Sequence, residues 1–223
     1  MVKLFEHTHT YKHPWSTVSK AFWHKYPNPS YPHVQEIDTF RRSFDAETGD
    51  LVSCRLITAT TNFPSFLHAI GAPKSAFGIE QSIANAREQK LVLKSRNLTG
   101  ADFLVVEEVC TYEAHPDNPD WTIYKQKATI KGTAPLFSSS FESHGLSRLQ
   151  QQAKDGLLVM EKLCEDFAHE AINEIEMLVN DVETGFSGAF HSLFSTKTER
   201  QDKSTSTDET PGECGSCCND PDK

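Results

Sequence analysis

The sequence predicts an α+β fold: a curved, roughly seven-stranded antiparallel sheet followed by one long C-terminal helix. Two observations carry this. Up to about residue 131, short runs rich in apolar and β-branched residues alternate with compact polar turns, and such short links imply antiparallel neighbours. From about residue 146 the apolar positions recur every three or four residues instead. A sheet and a helix that each offer one apolar face bury them against each other, which is a layered α+β arrangement.

Residues 2–12 begin the chain as an extended segment, with Val2, Leu4 and Phe5 apolar. Pro14, Trp15, Val18 and Phe22 then mark a first helix, because proline is tolerated at a first turn and the apolar spacing is helical. Pro27 cannot continue that helix and disfavours helical geometry at Tyr26, so Lys25 stands at the helix's C-terminal end. Taken alone, the segment Phe22–Pro29 is equally compatible with a rigid turn. Two strands follow, 34–44 and 51–60, around the polar, glycine-containing loop Ala46-Glu47-Thr48-Gly49-Asp50.

Residues 61–75 are too apolar for an ordinary loop. Asn62 can cap a helix, Pro64 suits its first turn, and Phe63, Phe66, Leu67 and Ile70 fall on one face before Gly71 and Pro73 end it. So short a helix is marginal in water and must lie on something, either the core or a bound apolar molecule. Strand patterns resume at 77–83, 91–93, 103–112 and 121–131, with the last pair flanking a turn-forming stretch at 115–120. In the C-terminal helix Leu146, Leu149, Ala153, Met160, Leu163 and Phe167 form an apolar stripe, continued by Ala171, Ile175 and Leu178. Gly145 and Gly156 are expected to bend or interrupt it, each weakening a helix by ~1 kcal/mol relative to alanine. This organisation divides the chain into a domain over 1–170, a helical extension over 171–200 and a disordered, cysteine-containing tail over 201–223. Within the extension, Phe186, Phe190, Leu193 and Phe194 suit either a membrane surface or packing back on the domain.

Composition narrows the function. A net charge of −9 over 223 residues argues against nucleic-acid binding and predicts repulsion from anionic membranes unless cations gather locally. No run approaches the ~20 apolar residues of a membrane span, so a soluble chain is expected. The start lacks the apolar stretch of a secretory signal and carries Glu6, which a transit peptide would avoid, so these residues supply no address. Of six cysteines, Cys54, Cys110 and Cys164 fit buried positions. Cys214, Cys217 and Cys218 lie in the polar tail, where metal binding would need a fourth ligand and a fixed frame. His7 and His9 share a strand face but lack evident third and fourth ligands, so no metal or cofactor is expected. Glu107 and Glu108 are adjacent in a strand and point to opposite faces, which rules them out as an acid–base pair. With no nucleophile elbow or phosphate loop either, an enzyme is disfavoured and no catalytic residue is assigned.

The first helix followed by Lys25-Tyr26-Pro27-Asn28-Pro29, together with His33-Val34, Cys54-Arg55-Leu56, Val106-Glu107-Glu108 and the long helix, resembles the PRELI/slowmo family over roughly residues 1–170. That resemblance implies lipid transfer in the mitochondrial intermembrane space, a lipid pocket between sheet and helix, transient contact with mitochondrial membranes, and a small partner of the twin Cys-x9-Cys class. It places the headgroup cations at Lys25, Arg55, Arg148 and Lys154, and a flexible lid at the segment carrying Phe63, Phe66, Leu67 and Ile70. Arg148 and Lys154 are six residues apart, about 9 Å along a helix, so they would line an entrance rather than form one clamp. Arg55, in an apolar strand, must have a partner or reach solvent. Phosphatidic acid is the expected ligand. Ala59 and Asp155, however, stand where some phosphatidic acid carriers have lysines, and this keeps phosphatidylserine, the ligand of the slowmo-like branch, as an alternative, beside a non-lipid interaction module on the same fold.

Overall fold

The structure, a computed structural model, describes residues 2–61, 75–134 and 138–195, with side chains as far as residue 182. It divides into two units, 1–172 and 173–223. The first unit holds the sheet. Its strands are β1 (Val2–Tyr11), β2 (Val34–Phe44), β3 (Asp50–Thr60), β4 (Ser75–Asn85), β5 (Lys90–Asn97), β6 (Leu104–His115) and β7 (Asn118–Gly132). Helix α1 (Trp15–His24) lies between β1 and β2 in sequence, and α2 (Ser138–Ser195) follows β7.

The order across the sheet is β1-β7-β6-β5-β4-β3-β2, with every neighbouring pair antiparallel and the sheet left open. Strands β2 to β7 therefore form an uninterrupted meander, and β1 adds to its far edge. The turns have identifiable causes. At the β2–β3 hairpin the Asp45 carboxylate accepts from the amides of Glu47 and Thr48, and Gly49 supplies a positive φ of 81°. At β4–β5 the side chain of Asn85 accepts from the amides of Arg87 and Glu88. The β6–β7 turn is tighter than the sequence suggested, because the ladder runs to His115 and restarts at Asn118. Pro119, which by composition belongs to a turn, instead occupies the second position of β7, near the start of a strand, where a missing N–H does least harm.

Helix α1 ends where Pro27 requires, with Lys25 as its C-terminal cap. It buries Trp15, Val18, Ala21 and Phe22, and the Trp15 indole N–H donates to the Tyr112 carbonyl at 3.1 Å. These residues join Tyr11, Leu91, Leu93, Cys110, Tyr112 and Tyr124 from the sheet and Met160 and Cys164 from α2 in the largest core cluster. Of the three cysteines expected inside, Cys110 and Cys164 are buried while Cys54 is partly exposed on the opposite face of β3 from Arg55.

Gly145 and Gly156 do not interrupt α2, contrary to the expectation from helix propensity. Both lie where the helix runs closest to its neighbours. A Cβ on Gly145 would meet Leu104 Cδ2 at 2.8 Å, and one on Gly156 would meet Lys25 Nζ at 2.9 Å. Packing thus outweighs a propensity cost of ~1 kcal/mol. The apolar stripe of α2 packs on the core through Phe167, but Ile172 and, in the second unit, Ile175, Leu178 and Val182 are exposed. Side chains of the second unit beyond residue 182, including Phe186, Phe190, Leu193 and Phe194, and the tail cysteines Cys214, Cys217 and Cys218 lie outside the described residues. No described helix is long and apolar enough to cross a membrane.

Gly132 is the tightest of these close approaches. A Cβ there would stand 2.7 Å from Ser138 O and 2.9 Å from its Cα, both backbone atoms that cannot swing aside. Gly132→Ala is therefore expected to lower stability by about 1–3 kcal/mol, the usual cost of overpacking, and urea unfolding of the two proteins measures it.

Candidate functional site

Between the inner face of the sheet and α2 lies a hollow of about 260 Å³. The C-terminal end of α1 and the loop after it close one side with Phe22, Lys25, Tyr26, Tyr31 and His33, while α2 contributes Leu149, Gln152, Ala153, Gly156 and Leu157. A second hollow, about 320 Å³ and lined mainly by apolar groups, shares Ile57, Ala59, Ser95, Glu108, Leu149 and Gln152 with the first and reaches Phe77 and Arg148. Six common walls make the two neighbours along the helix. Their strand walls come from alternate residues, such as Ile57 and Ala59 on β3, as the two-residue period of a strand requires.

Besides Arg96 and Arg148 at the second hollow, Lys25 lines the first. It is half-buried, its ammonium lies 5.2 Å from the Tyr26 ring and 5.8 Å from that of Tyr31, and it forms no hydrogen bond or ion pair with any described residue. Gly156 leaves the room that its ammonium occupies. The Tyr31 hydroxyl donates to the Gln152 carbonyl of α2 at 2.9 Å, which holds the loop against the helix. Burial, more than any neighbour, pushes the phenols of Tyr26 and Tyr31 far above the ordinary range, so both stay neutral. His33 is held below its ordinary imidazole value first by burial and then by the positive charge of Arg148, with Asp155 opposing and Lys25 adding to the depression. Lys25, His33, Arg148 and Asp155 therefore feel one another at one end of the space.

Arg55 is placed differently from the other predicted cations. It is 5% exposed and does not line the main hollow. Arg55 and Glu80 are direct partners in the β3–β4 register, and the guanidinium donates to one Glu80 carboxylate oxygen from Nε at 2.9 Å and from Nη2 at 2.5 Å. The rings of Phe22 and Trp23 cover the cation at 4.8 and 5.2 Å. The group that faces the cavity is thus its partner, Glu80. Burial raises the Glu80 carboxyl above the ordinary range, and the Arg55 charge opposes that rise. Lys154 is exposed on α2 and lines neither hollow, and neither does Asp155 next to it, which accepts from Gln151 Nε2 at 2.9 Å and acts on Tyr31 and His33 through its charge.

Three acceptors accompany Glu80 at the cavity wall. Glu108 points inward and accepts from the Cys110 thiol at 3.0 Å, while Glu107 faces outward to Arg96. Gln126 is 4% exposed, and its amide oxygen lines the cavity without a described hydrogen-bond partner. Gln152 adds a second amide from α2. Sequence reasoning missed His33, Glu80, Glu108, Gln126 and Gln152. Strand parity could have placed Glu108 opposite Glu107, but only the register shows that Glu80 meets Arg55. His9, which the sequence paired with His7 on one strand face, bonds Glu161 of α2 at 2.6 Å and so ties β1 to the helix.

The inner space is walled by sheet and helix, and of the four cations that the resemblance names, Lys25 lines its first hollow and Arg148 its second. The sequence pattern of the PRELI-like family matches residues 16–170. This chain belongs to that family. It is 32% identical over 191 residues to the slowmo homolog of Dictyostelium discoideum, covering 84% of each chain. It is 29% identical over 185 residues to the mitochondrial protein UPS2 of Saccharomyces cerevisiae, covering 81% of this chain and 80% of that one. The backbone also matches the crystal structure of TTHA0849 from Thermus thermophilus, with a TM-score of 0.51 at 14% identity over 74% of this chain and 98% of that one. At such identity the likeness speaks for the fold alone.

The PRELI-like family is one of mitochondrial lipid-transfer proteins and not a known enzyme class. Of the two positions that the resemblance singles out, Ala59 lines both hollows, whereas Asp155 lines neither and acts on His33 through its charge. Phe63, Phe66, Leu67 and Ile70 lie outside the described residues.

Arg55 and Glu80 can be separated by mutation. Arg55→Leu leaves a buried carboxylate without its partner and is expected to destabilise the fold by about 3–5 kcal/mol at neutral pH. Glu80 has a folded-state value above its unfolded one, so its ionisation opposes folding. The loss in Arg55→Leu should shrink as pH falls to and below the ordinary carboxylate value, where Glu80 is protonated in both states. Arg55→Leu with Glu80→Leu should recover most of the stability. Denaturant curves at pH 7 and pH 4.5 check all three expectations.

Proposed function

We propose that this chain is a non-enzymatic carrier that moves an anionic glycerophospholipid between mitochondrial membranes across the intermembrane space. Lys25 is the observation that carries the reading. A half-buried ammonium with no described counter-ion, set between two neutral phenols at the wall of an inner space, is poised for a phosphate. His33 and Arg148 add donors at the same end, and the apolar second hollow offers a route for acyl chains. Moving a lipid needs no chemical step. The cavity must only offset removal of the chains from their membrane, at ~0.8 kcal/mol per methylene.

Among anionic headgroups the geometry favours phosphatidylserine. Glu108 and Gln126, whose amide oxygen has no described hydrogen-bond partner, line the same hollow as Lys25 and are acceptors for a headgroup ammonium that a bare phosphate monoester lacks. Ala59 and Asp155 reduce positive charge in the same place. Phosphatidic acid, the ligand expected from the sequence, is the second reading, supported by the convergence of Lys25, His33 and Arg148. In either case Arg55 acts by holding Glu80, and Lys154 contributes an exposed charge at the helix surface. The mitochondrial relative and the matched family residues support the address. The family's small twin Cys-x9-Cys protein is the partner class that this reading adopts.

Transfer between liposomes of fluorescent phosphatidylserine, phosphatidic acid and phosphatidylcholine tests the assignment. Phosphatidylserine is expected to move fastest, and Lys25→Gln to slow both anionic lipids about tenfold, the worth of one charge-assisted contact. Equal transfer of all three lipids, unaffected by Lys25→Gln, would sink the headgroup site.

The family position of residues 62–74 supports a lid whose apolar face, Phe63, Phe66, Leu67 and Ile70, covers the acyl chains in solution and enters the membrane on release. Phe66→Ser with Leu67→Ser is expected to slow transfer severalfold while the thermal unfolding of the sheet changes little. A large loss of stability would instead make this segment part of the core.

A further inference from the structure

A separate hollow of about 410 Å³ lies behind the Arg55–Glu80 pair, between the end of α1 and strands β2 and β3. It shares only Tyr26 with the main cavity. Two guanidiniums line it, Arg42 from β2 and Arg55 from β3, together with Trp23, His24 and Thr39, and none of its lining residues is acidic. Both cations pack on the same indole, with their guanidinium carbons 5.3 and 5.2 Å from the Trp23 ring.

Their charges are balanced unequally. Glu80 neutralises Arg55 from the cavity side, leaving Nη1 without a described hydrogen-bond partner. Arg42 donates through Nε to the Ser53 hydroxyl at 3.3 Å, and its terminal nitrogens form no hydrogen bond or ion pair with a described residue. A guanidinium held by stacking and one neutral hydrogen bond keeps its paired donors directed outward, the geometry that suits bidentate contact with phosphate oxygens. In a chain of net charge −9, an acid-free hollow with two arginines and a histidine is a local reversal of sign that concentrates anions.

The geometry points to this hollow as a second, phosphate-class anion site in which Arg42 and Arg55 share one phosphate beside Trp23, independent of the headgroup position at Lys25. The phosphate belongs either to a lipid headgroup at a membrane surface or to a soluble phosphate compound. The site goes beyond carriage of a lipid, because it stands whether or not the main cavity holds one.

The Trp23 indole is the built-in reporter, its signal assigned with Trp23→Phe. Full-length protein is titrated with inorganic phosphate against chloride at equal ionic strength, and with phosphatidylcholine vesicles with and without phosphatidic acid, while the indole N–H is followed by NMR. A saturable shift of the Trp23 signal by phosphate but not chloride is expected. Arg42→Gln, an exposed change, should weaken it about tenfold, and Lys25→Gln should leave it within a factor of two. A response to acidic vesicles alone identifies a lipid headgroup as the source, and a response to phosphate alone identifies a soluble compound; either supports the site. No response to either probe, the same affinity in Arg42→Gln, or a response abolished by Lys25→Gln would overturn it.

Discussion

In the interior of this sheet a guanidinium on β3 and a carboxylate on β4 face each other directly, both nearly removed from water. Charges in such a place are tolerated only when paired and well bonded, and here two donor nitrogens and two aromatic rings meet that demand. Much of the surrounding arrangement depends on this pair. It brings Phe22 and Trp23 of α1 onto the sheet, and it stands as a partition between two hollows of different character. It also removes Arg55 from the set of cations free to meet an anion in the main cavity. Lys25 is left as the free ammonium at that wall, and Glu80 contributes an acceptor there.

The space itself depends on small residues where the helix comes close. Ala153 and Gly156 of α2, and Ala59 of β3, line the cavity where larger side chains would fill it. Gly156 couples these features, since the room it leaves is occupied by the ammonium of Lys25. Sheet, helix and the Lys25 ammonium are thus fitted to one another. A propensity penalty in the middle of a long helix is accepted because a side chain at Gly156 would collide with the ammonium of Lys25.

This organisation suits a carrier. Apolar walls along the helix can shield acyl chains, while donors and acceptors stand among them at both hollows. Neutral tyrosines beside Lys25 keep the local dielectric low, which strengthens a charge-assisted contact relative to one at the surface. The chain as a whole is acidic, so attraction to an anionic molecule must come from such local concentrations of positive charge. The two hollows flanking Arg55 and Glu80 are where the described residues provide them.

The strand and helix periods, the hairpin turns, the stop at Pro27 and hence the position of Lys25 were all legible in the chain, because each depends on residues close together in it. So was the need of an arginine on β3 for a partner. That the partner is Glu80, that Glu108 and Gln126 line the same wall, and that Lys154 lines neither hollow emerged only in three dimensions. Register across antiparallel strands and the rotation of a long helix are set by packing between distant segments. A shift of one residue in either would exchange the groups that face the cavity for those that face water.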